Sequence, residues 1–168
     1  MTNLLLLGAG TIGRMIATLL VRSGDYMVRV ADTDAESLKR LGDKLGVETL
    51  VIDATREDQL LEAMSGQQVV ISALTFSLNP GVARAALAAG CSYFDLTEDV
   101  ETTSAVRKLS ASAKLGQIFM PQCGLAPGFV GIAANHLAQK FDTLDSLLLR
   151  VGALPEFPTN SLKYNLTW

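Results

Sequence analysis

The chemistry of this chain is concentrated in one hexapeptide, Gly8-Ala9-Gly10-Thr11-Ile12-Gly13, and one acid, Asp32, nineteen residues past its last glycine. Glycines at this spacing suit a backbone that must approach a phosphate. Gly8 makes a tight turn, Gly10 leaves room for a pyrophosphate, and Gly13 lets the following helix pack on the preceding strand. Thr11 and Ile12 open that helix, whose free N–H groups and positive dipole end then face the phosphates. Asp32 is placed to accept hydrogen bonds from the hydroxyls of an adenosine ribose. A carboxylate there also repels a 2′-phosphate, and neither Thr33 nor Asp34 brings a cation to offset it. The expectation is therefore NAD in preference to NADP.

Further candidates follow other apolar runs. Asp53 and Ala54 end one such run; Asp53 is placed either to reach an adenine amino group or to cap the helix that starts near Arg56. The uncharged segment 72–81 supplies Ala73, Leu74 and Thr75 to line the middle of a dinucleotide, and Phe76 either joins them or packs locally. Glu98 and Asp99 either cap a helix or meet a substrate, where a carboxylate can hold an ammonium group or accept its proton. Cys123 is a second candidate for substrate contact, against the alternative of a buried structural thiol. Cys91 reads as a buried thiol, and the single histidine, His136, as solvent-exposed or locally bonded, with no second metal ligand nearby. No metal site is expected.

The elements that must position these groups alternate between short apolar strands and helices. Strands are predicted over 4–7, 26–31, 47–52, 68–72, 92–96 and 117–120, with five helices between them. Asp34 reads as the cap of the second helix, with Leu38 and Leu41 inside; Asn79 reads as the cap of the fourth, ahead of Pro80. Such a chain folds as a doubly wound, mostly parallel α/β sheet of the Rossmann type, in the order 3-2-1-4-5-6. The carboxyl ends of the strands then share one edge, where ligands bind.

Composition is compatible with this and excludes little more. The 14 Lys and Arg against 17 Asp and Glu give a net charge of −3 with no block of one sign, so a nucleic-acid surface is not expected. No apolar stretch approaches a membrane span, and Met1-Thr2-Asn3 leads straight into the first strand, so a cytoplasmic protein is expected. Residues 121–128, rich in glycine and proline, read as a linker leading out of the domain into a helix over 129–138. Residues 144–154 read as a long apolar strand with no partner in the first sheet. The resulting organisation is a dinucleotide-binding domain over 1–125, followed over 126–168 by a linker helix and the first strand of a truncated substrate or dimerisation domain.

The runs Leu6-Leu7-Gly8-Ala9-Gly10-Thr11-Ile12-Gly13-Arg14, Val69-Val70-Ile71-Ser72-Ala73-Leu74 and Cys123-Gly124-Leu125-Ala126-Pro127-Gly128 together resemble the saccharopine dehydrogenase-like family, most closely its lysine 6-dehydrogenase-type members. The third run is more specific than the first, because many dehydrogenases share the glycine turn. The resemblance extends into Arg150-Val151-Gly152-Ala153-Leu154-Pro155. It implies a two-domain, homo-oligomeric enzyme of amino-acid metabolism that oxidises a carbon–nitrogen bond of an amino acid or polyamine, or reduces the corresponding imine. Two functional classes are carried forward: the cofactor part of such an oxidoreductase, inactive on its own, and a non-catalytic dinucleotide-binding or scaffold module. A methyl-donor site at the same edge is a third reading.

Overall fold

A computed structural model describes residues 1–152. Its sheet has six parallel strands in the order β3-β2-β1-β4-β5-β6, as expected. The strands are β1 (Thr2–Leu7), β2 (Tyr26–Asp32), β3 (Glu48–Val51), β4 (Val69–Ser72), β5 (Ser92–Asp95) and β6 (Phe119–Met120). Between them run α1 (Thr11–Ser23), α2 (Ala35–Leu45), α3 (Glu57–Met64), α4 (Asn79–Ala89) and α5 (Val100–Ser110), and α6 (Phe129–Ala138) follows β6.

β1 lies at the centre because it is apolar on both faces. Its side chains alternate: Leu4 and Leu6 pack with Ala17, Val28, Val30, Leu38 and Leu41 on the side of α1 and α2. Leu5 and Leu7 pack with Leu60, Met64, Val82 and Val106 on the side of α3, α4 and α5. All four leucines are at most 1% exposed, so each contributes roughly 1.5–3 kcal/mol of burial. The alanines of α4 let that helix sit close to the sheet; Ala83, Ala85 and Ala86 are wholly buried. At the far edge β5 holds β6 through the stacked rings of Tyr93 and Phe119, with centroids 5.9 Å apart.

Helix boundaries follow local chemistry in most cases. Asp34 caps α2 by accepting the N–H groups of Glu36 and Ser37, and Gly46 closes that helix in the left-handed conformation. Asn79 departs from expectation. It is the first residue of α4 rather than its cap, and its buried side-chain oxygen accepts the Ser72 hydroxyl at 2.7 Å. A buried polar group needs a partner, and the one supplied by β4 outcompetes the helix end. α5 stops at Ser110, short of the glycine at 116, and β6 is reduced to two residues.

The segment 121–128 is tied to the sheet rather than leading freely away from it. The Cys123 N–H donates to the Asp95 carbonyl at 2.7 Å, and the Phe129 N–H returns to the Gly124 carbonyl at 2.9 Å. Beyond α6, residues 144–152 form neither helix nor strand, contrary to the strand expected there. Leu147, Leu148 and Leu149 are exposed, and among the described residues no neighbouring edge supplies the ladder that an apolar run needs to become a strand. The last two residues of that expected strand, and the remainder of the tail, lie outside the described residues.

Candidate functional site

The glycine turn is built as its spacing requires. Gly8 has φ +105°, and a Cβ there would sit 2.9 Å from the Ala73 carbonyl oxygen. A Cβ on Gly13 would collide with the Gly8 carbonyl, whereas one on Gly10 would meet nothing within 4 Å. Gly8 and Gly13 are therefore committed to internal packing, and Gly10 faces open space. Gly10 is also the N-cap of α1; no side chain caps the helix, and its first turn carries no acid. Free N–H donors at a helix start beside an unfilled approach make a cradle that fits a pyrophosphate.

Asp32 secures this turn from the neighbouring strand. Its Oδ2 accepts the Ala9 N–H at 2.6 Å and its Oδ1 the Asp34 N–H at 2.9 Å. Both oxygens thus serve the backbone, although each retains further acceptor capacity. Beside it lies a cavity of about 240 Å³ that brings together Asp32, Asp53, Ala54 and Leu74, with Ile52 and Leu78 as apolar walls. Asp32 and Asp53, the two acids expected at the adenosine end of a dinucleotide, meet here with Ala54 and with Leu74, which was expected at its middle. The Asp53 carboxylate accepts the Thr55 hydroxyl and N–H, which lowers its pKa; the hydroxyl bond is the larger cause. Arg56, not Asp53, is the residue at the N-cap of α3.

The other end of the carboxyl edge holds a wider pocket of about 610 Å³, lined by Phe76, Leu96, Thr97, Glu98, Asp99 and Val100. Thr75, next to Phe76 in the chain, has its hydroxyl 3.3 Å from that of Ser77. Asp99 caps α5, accepting the Thr102 N–H at 2.7 Å, so hydrogen bonding to Thr102 lowers its pKa. Glu98 is exposed and makes no hydrogen bond among the described residues, which leaves its carboxylate free for a ligand. Asp99 therefore takes the capping role weighed for both acids.

Cys123 is tied through its N–H to the Asp95 carbonyl, and its thiol is not activated. Its thiol donates to the Met120 carbonyl at 3.3 Å, and burial, with a smaller effect from Asp95, pushes its pKa up. A protonated thiol can contact a substrate but is a poor nucleophile. Cys91 is wholly buried and donates to the Gln67 carbonyl, and His136 is exposed on α6. Sequence reasoning did not foresee the part played by Asp95. Wholly buried, it accepts the Tyr93 hydroxyl and the N–H groups of Thr97 and Gln122. The available signal was its place in β5, two residues from Tyr93 and hence on the same face.

Fold and site together define the class: a Rossmann-type domain, a doubly wound parallel sheet whose glycine turn fits a dinucleotide. The chain belongs to a saccharopine dehydrogenase family: residues 4–120 match the model described as the saccharopine dehydrogenase NADP binding domain. It is 27% identical to saccharopine dehydrogenase [NADP(+), L-glutamate-forming] of Saccharomyces cerevisiae over 99% of this chain and 38% of that protein. It is 25% identical to the mitochondrial alpha-aminoadipic semialdehyde synthase of Bos taurus over 99% of this chain and 18% of that one. The chain thus spans well under half the length of these relatives. The solved structure of the yeast saccharopine dehydrogenase shares the fold, with a TM-score of 0.71 and 23% identity over 83% of this chain and 31% of that one.

These likenesses correct the expectation of NAD over NADP. The matching family is described by NADP binding, and the yeast relative is named for NADP(+). The physical basis of the expectation was that Asp32 serves the ribose. In the structure that carboxylate is instead engaged by two backbone N–H groups, so its presence in the sequence does not by itself decide the cofactor. No helix among the described residues is long and apolar enough to cross a membrane.

Proposed function

We propose that this chain is the NADP-binding part of an oxidoreductase acting on a carbon–nitrogen bond of an amino acid or polyamine. The observation that carries the reading is the open face of Gly10 over the uncapped start of α1, between an adenosine-sized cavity and a pocket bearing a free carboxylate. The cofactor supplies the hydride acceptor when bound. The chain's own residues bind and orient it: the first turn of α1 takes the pyrophosphate, and Ala73, Leu74 and Thr75 line its middle. Glu98 attracts the substrate ammonium group and accepts a proton from its nitrogen as the hydride leaves the adjacent carbon. Cys123 contributes a contact rather than a nucleophile.

Lysine 6-dehydrogenase-type chemistry is the finer reading, supported by the resemblance of residues 123–128 and 150–155. A cytoplasmic homo-oligomer, organised as a dinucleotide domain over 1–125 and the start of a second domain thereafter, belongs to the same proposal. The additional length of the relatives is where a substrate-binding wall would be found. Calorimetric titration with NADPH tests the cofactor half: a folded chain that fails to bind it rules the reading out. A steady-state screen of amino acids and polyamines, with this chain and with a longer one, tests the chemistry. Binding without turnover at either length favours a non-catalytic module.

A further inference from the structure

A third groove, of about 620 Å³, lies between α1 and α2 and adjoins the site described above at Thr11. Its polar lining is Thr11, Arg14, Thr18, Arg22, Arg40 and Lys44, four cations and no acid. Both helices begin at the carboxyl edge, α1 directly after the glycine turn and α2 three residues past Asp32. The groove therefore opens beside the place where a bound adenosine ribose must lie.

We propose that this groove seats the cofactor's 2′-phosphate, with Arg14 and Arg40 as its charged contacts, an inference that rests on the NADP reading. Position along the helices selects these two. Arg14 lies in the first turn of α1, while Arg22 is eight residues further on, roughly 12 Å down the helix at the usual rise. Arg40 likewise precedes Lys44 by one turn on α2. Arg14 has no carboxylate within ion-pair distance among the described residues, so its guanidinium is free. Arg40 is held by the Glu36 carboxylate at 2.9 Å and the Ser37 hydroxyl at 3.0 Å, an exposed arrangement that orients the side chain and that a dianion can displace. A guanidinium presents paired donors that match phosphate oxygens.

The acids nearby do not close the groove to an anion. Asp32 turns both oxygens to the N–H groups of Ala9 and Asp34, and Asp34 turns its own to Glu36, Ser37 and the Ser37 hydroxyl. Neither lines the groove. The residue following β2, Thr33, carries no charge, so cations from the flanking helices take the place of one from the strand end. NADH carries a hydroxyl where NADPH carries the phosphate and leaves these guanidinium groups without a partner.

The experiment is calorimetric titration of NADPH and of NADH into the parent chain, Arg14→Gln, Arg40→Gln, the double variant, and Arg22→Gln as the control at the far end. All three positions carry exposed side chains, and circular dichroism verifies folding. Each of Arg14→Gln and Arg40→Gln should weaken NADPH by about tenfold or more and leave NADH within about twofold, while Arg22→Gln changes neither appreciably. NADPH affinity unchanged in the double variant overturns the groove assignment while leaving the cofactor reading intact. An equal loss for NADH, or an equal loss from Arg22→Gln, overturns it too, because the effect is then not that of a seated 2′-phosphate. A folded parent that binds neither nucleotide defeats the cofactor reading and this inference together.

Discussion

The Tyr93 hydroxyl donates to the Asp95 carboxylate at 2.9 Å, wholly inside the protein, and the other oxygen of Asp95 receives the N–H groups of Thr97 and Gln122. One buried carboxylate thus joins the strand it belongs to, the acidic segment that follows it, and the turn after β6. Burial first, and Asp95 second, push the Tyr93 pKa far up, so the phenol stays a donor.

Asp95→Ala should be strongly destabilising. It strands two backbone donors and a phenol, each at roughly 1–3 kcal/mol, for a total of about 3 kcal/mol or more. Asp95→Asn keeps an acceptor for the two N–H groups and turns a donor to the Tyr93 oxygen, so it should retain most of the stability. Urea unfolding of both variants checks this; equal losses would remove the hydrogen-bond account.

Gly13 and Gly10 should fail in different ways. Gly13→Ala places a methyl group against the Gly8 carbonyl and should lower thermal stability. A Cβ at Gly10 has nothing within 4 Å to strike, so the fold of Gly10→Val should persist while NADPH affinity drops by roughly tenfold or more, because the bulk enters the pyrophosphate approach. Melting curves paired with nucleotide titration separate the two, and wild-type affinity in Gly10→Val would contradict the assignment of the cradle.

The cap at Asp99 should make a pH-dependent contribution. Hydrogen bonding to Thr102 lowers its pKa in the folded chain, so the carboxylate contributes stability above its unfolded pKa of about 3.9 and loses it as pH falls through the folded value. Asp99→Ala should lower Tm by a few degrees at pH 7 and lose that effect once the parent's carboxyl is protonated. A gap between parent and variant that is constant across the acid range would show that the cap does not act through charge.

Cysteine reactivity should rank the two thiols. Burial raises both, but Cys91 is wholly buried whereas Cys123 is half-buried. Iodoacetamide at neutral pH should modify Cys123 slowly and Cys91 more slowly still, with mass spectrometry locating the label. Rapid modification of Cys123 would show a thiolate and reopen its role as a nucleophile.

What was legible in the sequence is what local pattern controls. The period of apolar residues specified six strands and five intervening helices, and glycine spacing specified the turn between β1 and α1, because a turn of that shape excludes side chains at Gly8 and Gly13. The cap at Asp34 was legible for the same reason, since its partners are two and three residues away. What only the tertiary structure decided are pairings across long separations or between elements. Asn79 is claimed by Ser72 instead of its own helix end, and Asp32 is engaged by Ala9, twenty-three residues earlier. Cations from two separate helices, Arg14 and Arg22 on α1 and Arg40 and Lys44 on α2, line one groove, and the apolar run at 144–152 joins no strand among the described residues. A residue type states which bonds a side chain can make; which one it does make depends on the partners that chain folding brings within about 3 Å.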